Sequence, residues 1–220
     1  MLAGHGGFPD CSALVESRIF IYSDSLPISP HLQEVLAMVL DPQLKTLFAE
    51  DAGAMGTVEA GNPAGRAGKY LIFTLGHERY GLAILAVREI IGLMAIHELP
   101  DMPPFYRGVI NLRNKVIPVM DMRSKFGMES ADHDERTCII VVEVSGQGGA
   151  RLMGIIVDAV SEVAGVKEQD VEAPPQFGDG NAGFLLGMAK LSEGVTILLD
   201  IDALMQASGA VSLAEVSEVF

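Results

Sequence analysis

The stretch that decides the fold is GVINLRNKVIPVMDMR, residues 108–123. Its two β-branched runs, Val109–Ile110 and Val116–Met120, are typical of strands, and the asparagines that bracket their join are typical turn residues. The sequence therefore predicts a tight hairpin. Arg113 lies at its corner, in a chain that has only 15 Lys and Arg against 29 Asp and Glu.

Short β-rich runs separated by turns continue on both sides of this hairpin. They are Lys69–Leu75, Tyr80–Ile84, Val87–Ile91, Arg136–Val144, Leu152–Val157, Ser161–Val166, Phe184–Leu191 and Val195–Ile201. Short helices are predicted at Met122–Phe126 and Asp202–Ala207. About ten strands at this spacing, without long helices between them, favour small closed antiparallel barrels over a βαβ sheet. Their total length suits two barrels better than one.

The composition of the sequence changes near residue 68, where the short β-rich runs begin. Ser29 and Pro30 are suited to the N-cap and first position of a helix that extends to Leu40. The Gly/Ala-rich stretch Asp51–Gly68 has no periodicity and is typical of a linker. We therefore expect an N-terminal extension over residues 1–68, a double-barrel domain over 69–207, and a tail over 208–220 with a helical pattern at Leu213–Val219.

The bulk composition excludes several classes of protein. A net charge of −14 argues against a nucleic-acid or anionic-membrane binder. The sequence lacks an apolar run long enough to span a membrane, and its start lacks the features of a secretory signal. Cys11 and Cys138 make a poor disulfide framework, which favours a reducing, cytoplasmic setting. The expected partners are other proteins.

The sequence contains few candidates for phosphate-binding, metal-binding or catalytic residues. Gly61–Lys69 resembles a phosphate-binding loop, but Pro63 and Tyr70 occupy positions that the motif reserves for Gly and for Ser or Thr. The five histidines are scattered and have no partners at metal-ligand spacing. Carboxylates at strand ends do not single out a catalytic pair. The sequence thus predicts no enzyme, metal or cofactor site, with an enzyme or small-molecule-binding barrel as the rival hypothesis.

Two features suggest a binding surface. The run Ile84–Ile91 is more apolar than a half-solvated strand requires. With a period of two, Leu85, Val87, Glu89 and Ile91 are expected to share one face, and Ile84, Arg88 and Ile90 the other. It is explained either by a core or by an exposed apolar groove, which is a usual mark of protein binding. A groove predicts that Val87→Asp abolishes binding and leaves the fold intact, whereas a core predicts unfolding. Arg113 is either a solvated turn residue, a cation clamped by a carboxylate of its own fold, or a bidentate donor to a partner.

Four segments in order resemble the CheW family of bacterial chemotaxis coupling proteins. They are YLIFTLGHERYGLAILAVREIIG (70–92), GVINLRNKVIPVMDMRSKF (108–126), MGIIVDAVSEV (153–163) and FLLGMAKLSEGVTILLDIDALM (184–205). The Asn-Leu-Arg corner followed by Pro-x-x-Asp-x-Arg is fairly specific to this domain, which the CheA kinase and CheV adaptors share. A receiver-like βαβ pattern and a phosphotransfer segment are not found in the sequence, which argues against those two proteins.

The resemblance implies two intertwined five-stranded SH3-like barrels with a hydrophobic core between them. It also implies a non-enzymatic cytoplasmic adaptor that joins the cytoplasmic tip of a chemoreceptor to the regulatory domain of the histidine kinase CheA in receptor arrays. An adaptor of another chemosensory-type pathway, such as twitching motility or second-messenger control, is the alternative. The matching partner-binding positions are Ile84, Val87, Glu89, Arg113, Val157 and Asp158. Asn114 replaces the usual glycine of the corner, where it is the next best residue for a left-handed backbone.

Overall fold

The computed structural model describes residues 66–146, 149–174 and 183–207. The predicted helix at 30–40 and the tail at 208–220 lie outside these ranges. The strands, in chain order, are β1 (Gly68–Leu75), β2 (Glu78–Ala83), β3 (Val87–Gly92), β4 (Tyr106–Leu112), β5 (Lys115–Asp121), β6 (Cys138–Gly146), β7 (Gly149–Val157), β8 (Ala159–Val166), β9 (Val171–Glu172), β10 (Leu185–Leu191) and β11 (Gly194–Leu199). Two short helices, α1 (Met122–Lys125) and α2 (Ile201–Gln206), follow β5 and β11.

These strands form two sheets that share the chain. The first has the order β8-β1-β2-β11-β10-β9, and the second has the order β3-β6-β7-β5-β4. The chain begins in the first sheet, builds the whole second sheet, and then returns to the first. This confirms the mainly β, intertwined two-barrel architecture, with the two-residue β9 as a sixth strand on the first sheet.

The expectation of purely antiparallel barrels is wrong in one respect. Each sheet contains one parallel pair, β2 with β11 and β5 with β7. Each of these pairs joins strands that are well separated in the chain, as parallel neighbours require. The local alternation of apolar residues cannot reveal such a pairing.

The two barrels repeat one local design. A strand ends at an aspartate whose carboxylate accepts the backbone N–H three residues later and thereby caps the following helix, at 3.2 Å for Asp121 and 3.0 Å for Asp200. The N–H of each aspartate also donates at 2.8 Å to the carbonyl of a phenylalanine, Phe105 or Phe184, that precedes the hairpin. The predicted short helices follow from these caps.

The core consists of three apolar clusters. One cluster belongs to each sheet, with Ile110 and Ile139 in the second and Ile72 and Leu198 in the first. The largest cluster contains residues of both sheets and joins the barrels. Within it, four aromatic rings follow one another with centroids 5.4–6.2 Å apart, namely Phe73, Tyr80, Phe126 and Phe184. The two barrels are therefore fused through a common core.

The sequence interpretation of Ile84–Ile91 as one period-two run is wrong. Ile84–Ala86 forms a 3₁₀ turn, and β3 begins at Val87. The register then shifts, because Val87 pairs with Val142 and Glu89 pairs with the adjacent Val141. Arg88 is the extra residue of this β-bulge. Val87 and Glu89 therefore lie on opposite sides of β3 instead of sharing a face.

Candidate functional site

The hairpin corner has an unusual backbone. Leu112 pairs with Lys115, so that Arg113 and Asn114 alone form the turn. Their φ angles are 50° and 63°, and positive φ at both central residues is the signature of a type I′ hairpin. Asn114 accepts this conformation readily, as the sequence predicted. Arginine rarely adopts it, so the corner holds Arg113 in a strained position that other contacts must stabilise.

Glu89 supplies such a contact. The Nη2 of Arg113 donates to Oε1 of Glu89 at 2.6 Å, and the two side chains are 56% and 12% exposed. Partial burial raises the pKa of Glu89, and the charge of Arg113 opposes this rise. The structure thus agrees with the hypothesis of a cation clamped within its own fold, and it leaves more than half of the arginine side chain accessible.

This ion pair joins the two edges of the second sheet. Glu89 lies on β3 at one edge, and Arg113 follows β4 at the other. A backbone bridge connects the same regions, because His97 and Val109 exchange two N–H···O bonds of 2.9 Å. The corner is therefore held in place by both backbone and side-chain contacts.

Three of the six predicted contact residues do not form a groove. Ile84, Val87 and Val157 are buried in the cluster between the barrels. The exposed-groove interpretation is wrong for Ile84 and Val87, because the 3₁₀ turn and the bulge direct these side chains inward. Val157 lies at the end of β7. The exposed apolar side chains nearby in sequence are Leu85, before β3, and Val116, beside the corner, at 62% and 71%.

Asp158 forms a separate clamp. Its carboxylate accepts two hydrogen bonds from Arg123, at 2.6 and 2.7 Å, and one from the Gly76 N–H at 2.7 Å. These contacts join β7, α1 and the turn between β1 and β2. Sequence reasoning gave no role to Arg123. The available signal was its place in the Pro-x-x-Asp-x-Arg motif, where it is the final residue.

The Arg123–Asp158 clamp predicts a pH dependence. Partial burial acts to raise the pKa of Asp158, but the Arg123 and Gly76 hydrogen bonds and the Arg123 charge outweigh it and hold the pKa below 3.8. A folded-state pKa below the unfolded value stabilises the protein above that value, and this stabilisation is lost as pH falls through the folded pKa. We expect Arg123→Met to lower the free energy of unfolding at pH 7 by about 1.5–3 kcal/mol, as for hydrogen bonds to charged groups.

Urea unfolding from pH 7 to pH 3 checks this prediction. The difference between Arg123→Met and the parent should narrow as the pH falls below about 4, which is near the unfolded pKa of aspartate. Arg136→Met is the matched control, because its ion pair with Asp134 is largely exposed and should matter little. An Arg123→Met difference that is constant over the whole pH range would contradict the clamp.

Two kinds of reactive group can be checked among the described residues, namely metal-ligand clusters and cysteine thiols. Within that part of the chain, His, Cys, Asp and Glu side chains are nowhere grouped in threes that could hold a metal ion. Burial raises the pKa of the Cys138 thiol to about 12, so it is not a thiolate at neutral pH. In the same ranges, no helix has the length and apolar character needed to cross a membrane.

Comparisons with known proteins point to one protein family. A family model described as the CheW-like domain matches residues 69–209. The chemotaxis protein CheW of Klebsiella aerogenes is 38% identical over 147 residues, which cover 66% of this chain and 85% of that protein. Protein FrzA of Myxococcus xanthus is 29% identical over 124 residues, covering 56% and 75% of the two chains.

A solved structure supports the same assignment. The scaffolding protein TtCheW from Thermoanaerobacter tengcongensis superposes with a TM-score of 0.58 at 35% identity, over 67% of this chain and 98% of that one. One family assignment is supported by the matched family model, the two interleaved sheets and the hairpin corner. This chain belongs to the CheW family of chemotaxis scaffold proteins.

Proposed function

We propose that this protein is a non-enzymatic adaptor that couples the cytoplasmic tip of a chemoreceptor to the regulatory domain of the CheA histidine kinase. It would act in the cytoplasm, recruited to membrane-associated receptor arrays. Membership of a family of scaffold proteins supports this function. The observation that carries it is the Glu89–Arg113 pair, which fixes an accessible guanidinium at a strained hairpin corner.

The receptor-facing surface is proposed to centre on this corner. A guanidinium carries five N–H donors in a planar fork, and Glu89 and the type I′ turn orient that fork before any partner arrives. Val116 adds an exposed apolar side chain at the start of β5. An oriented cation next to an apolar side chain suits a helix that presents a carboxylate beside small apolar residues.

The other predicted site residues are proposed to act indirectly. Ile84, Val87 and Val157 pack between the barrels, and Asp158 joins β7 to α1. These contacts fix the relative position of the two barrels. A scaffold that holds a receptor and a kinase in register needs that rigidity, even though these side chains are not offered to either partner.

The second candidate function is that of an adaptor in another chemosensory-type pathway. The similarity to FrzA of Myxococcus xanthus favours it, because that relative does not carry the CheW name. The higher identity and coverage of the CheW relatives favour the chemoreceptor–CheA assignment. Binding assays with receptor and kinase fragments from several pathways of the native cell would separate the two candidates.

Removal of the corner cation tests the site. We expect Arg113→Ala to weaken binding of a receptor-tip fragment roughly tenfold, or about 1.4 kcal/mol, since truncation of an interface arginine often costs this much. Isothermal titration calorimetry measures the change. Lys190→Ala is the matched control, because Lys190 forms an exposed ion pair with Glu172 on the other sheet.

A charge-swapped variant separates direct contact from orientation. Glu89→Arg combined with Arg113→Glu keeps an ion pair across the same two strands and reverses its polarity. If Arg113 contacts the receptor directly, the swap fails to restore binding. If the pair only holds the corner, the swap restores it. Unchanged receptor affinity in Arg113→Ala would contradict the proposed site.

A further inference from the structure

A depression of about 570 Å³ lies where the second sheet meets α2. A cavity of roughly 150 Å³ already holds a benzene ring, so this one has room for several aliphatic side chains. It is lined by Tyr106, Val144, Ser145, Arg151, Met153, Met205 and Gln206. Most of the lining is apolar, and the one formal charge is positive although the protein is strongly acidic.

The depression has a fixed floor and a fixed wall. Val144 pairs with Arg151 on the adjacent strands β6 and β7, and Val144 and Met153 belong to the central cluster. Helix α2 forms the wall and is held to the sheet because the Ser145 N–H donates to Asp202 Oδ1 at 2.7 Å. The site is therefore preformed.

The chain leaves α2 at the rim of this depression. The buried Lys125 donates from Nζ to the Ala207 carbonyl at 2.7 Å and lies 4.5 Å from the centroid of the Phe105 ring. The Phe105 ring in turn packs against Tyr106, with centroids 5.1 Å apart, and Tyr106 lines the depression. The last described range thus ends at Ala207 beside the site, and this end is anchored.

The sequence that follows has the complementary chemistry. Ser212 and Glu215 have the spacing of a helix capping box. At 100° per residue, Leu213, Val216 and Phe220 fall on one stripe. Glu215 and Glu218 lie outside it and are opposite in charge to Arg151.

We propose that residues 208–220 of this chain dock in the depression. The apolar stripe packs on Val144, Met153 and Met205, and the glutamates lie near Arg151. Because the segment is tethered at Ala207, its effective concentration at the site is in the millimolar range or higher, and modest contacts suffice for occupancy. The depression is then an internal docking site that a partner must displace the tail to reach.

Methionine methyl signals of the full-length protein test this proposal. Leu213→Asp combined with Val216→Asp should shift the Met153 and Met205 methyl resonances and should raise the amide exchange rates of residues 212–220 at least tenfold. Ala214→Asp is the matched control, since it places one carboxylate about 130° away from the centre of the stripe and should change neither readout. Arg151→Gln should produce a partial shift in the same direction.

Two results would overturn the proposal. The first is a double variant whose Met153 and Met205 signals match those of the parent. The second is a set of signals that depends on protein concentration, which would show that a second copy, and not the chain's own tail, fills the depression.

Discussion

Val87→Asp is expected to unfold the protein. Val87 is 0% exposed and lies in the cluster that joins the two barrels, opposite Val142 on β6. A carboxylate there would be buried without a cation or hydrogen-bond donor designed for it, and an uncompensated buried charge typically costs about 3–5 kcal/mol. The loss of valine packing adds to this cost. Small domains are stable by only about 5–15 kcal/mol, so the combined cost is as large as the whole stability of a domain at the lower end of that range.

Far-UV circular dichroism and urea unfolding measure this effect. Leu85→Asp is the matched control, because Leu85 precedes Val87 by two residues but is 62% exposed. The control should keep the parent's spectrum and its urea midpoint to within a few tenths of a molar. A Val87→Asp variant with a native spectrum and an unchanged midpoint would show that the side chain is accessible, contrary to the structure.

The outcome also decides how binding data should be interpreted. Loss of receptor binding in a Val87 variant would ordinarily be attributed to a contact residue. With Val87 in the core, the same loss follows from unfolding and carries no information about the interface. Variants of Arg113 and Val116, which are exposed, report on the surface itself.

Gly108→Ala is expected to produce the second large effect. Gly108 has a φ of +135°, a backbone conformation that other residues rarely adopt. A Cβ there would lie 2.1 Å from the His97 carbonyl oxygen and 2.7 Å from its carbon. The same carbonyl accepts the Val109 N–H, so relief of the clash breaks the bridge between β4 and the segment that follows β3. Backbone strain of about 1–2 kcal/mol and two lost hydrogen bonds together suggest about 3–5 kcal/mol.

Thermal and urea unfolding of a matched glycine variant separate the steric cost of the added Cβ from the cost of the backbone conformation. Gly127 also has a positive φ, of 66°, but an added Cβ meets nothing within 4 Å. Gly127→Ala should therefore cost only the backbone term, about 1 kcal/mol. Equal destabilisation by the two substitutions would mean that the contact with His97 has no energetic role.

Local patterns in the sequence predicted most strands and the hairpin corner. Runs such as Val116–Met120 are rich in β-branched residues, and few alternatives to a strand fit them. Asn114 marked the left-handed turn. The two short helices were predictable because an aspartate cap stands directly after an apolar strand in both barrels. These features depend only on residues within a few positions of one another.

The features that were missed depend on distant residues. The bulge at Arg88 is a property of the ladder between β3 and β6, and alternation within β3 alone does not encode it. Glu89 and Arg113 are 24 residues apart, and Arg123 and Asp158 are 35 apart. Each residue was noticeable in the sequence, but its partner was not. The pairing of Glu89 with Arg113 follows from the way the two edges of the second sheet meet, and that of Arg123 with Asp158 from the placement of α1 beside the end of β7.

The proposed adaptor function requires this protein to bind two partners at once. Size-exclusion chromatography with light scattering, on the full-length protein mixed with a receptor-tip fragment and the CheA regulatory domain, tests it most directly. We expect one peak that contains all three components, and the loss of the receptor fragment from that peak in Arg113→Ala. If the two fragments instead compete for the protein, so that only binary complexes form, the adaptor function is contradicted.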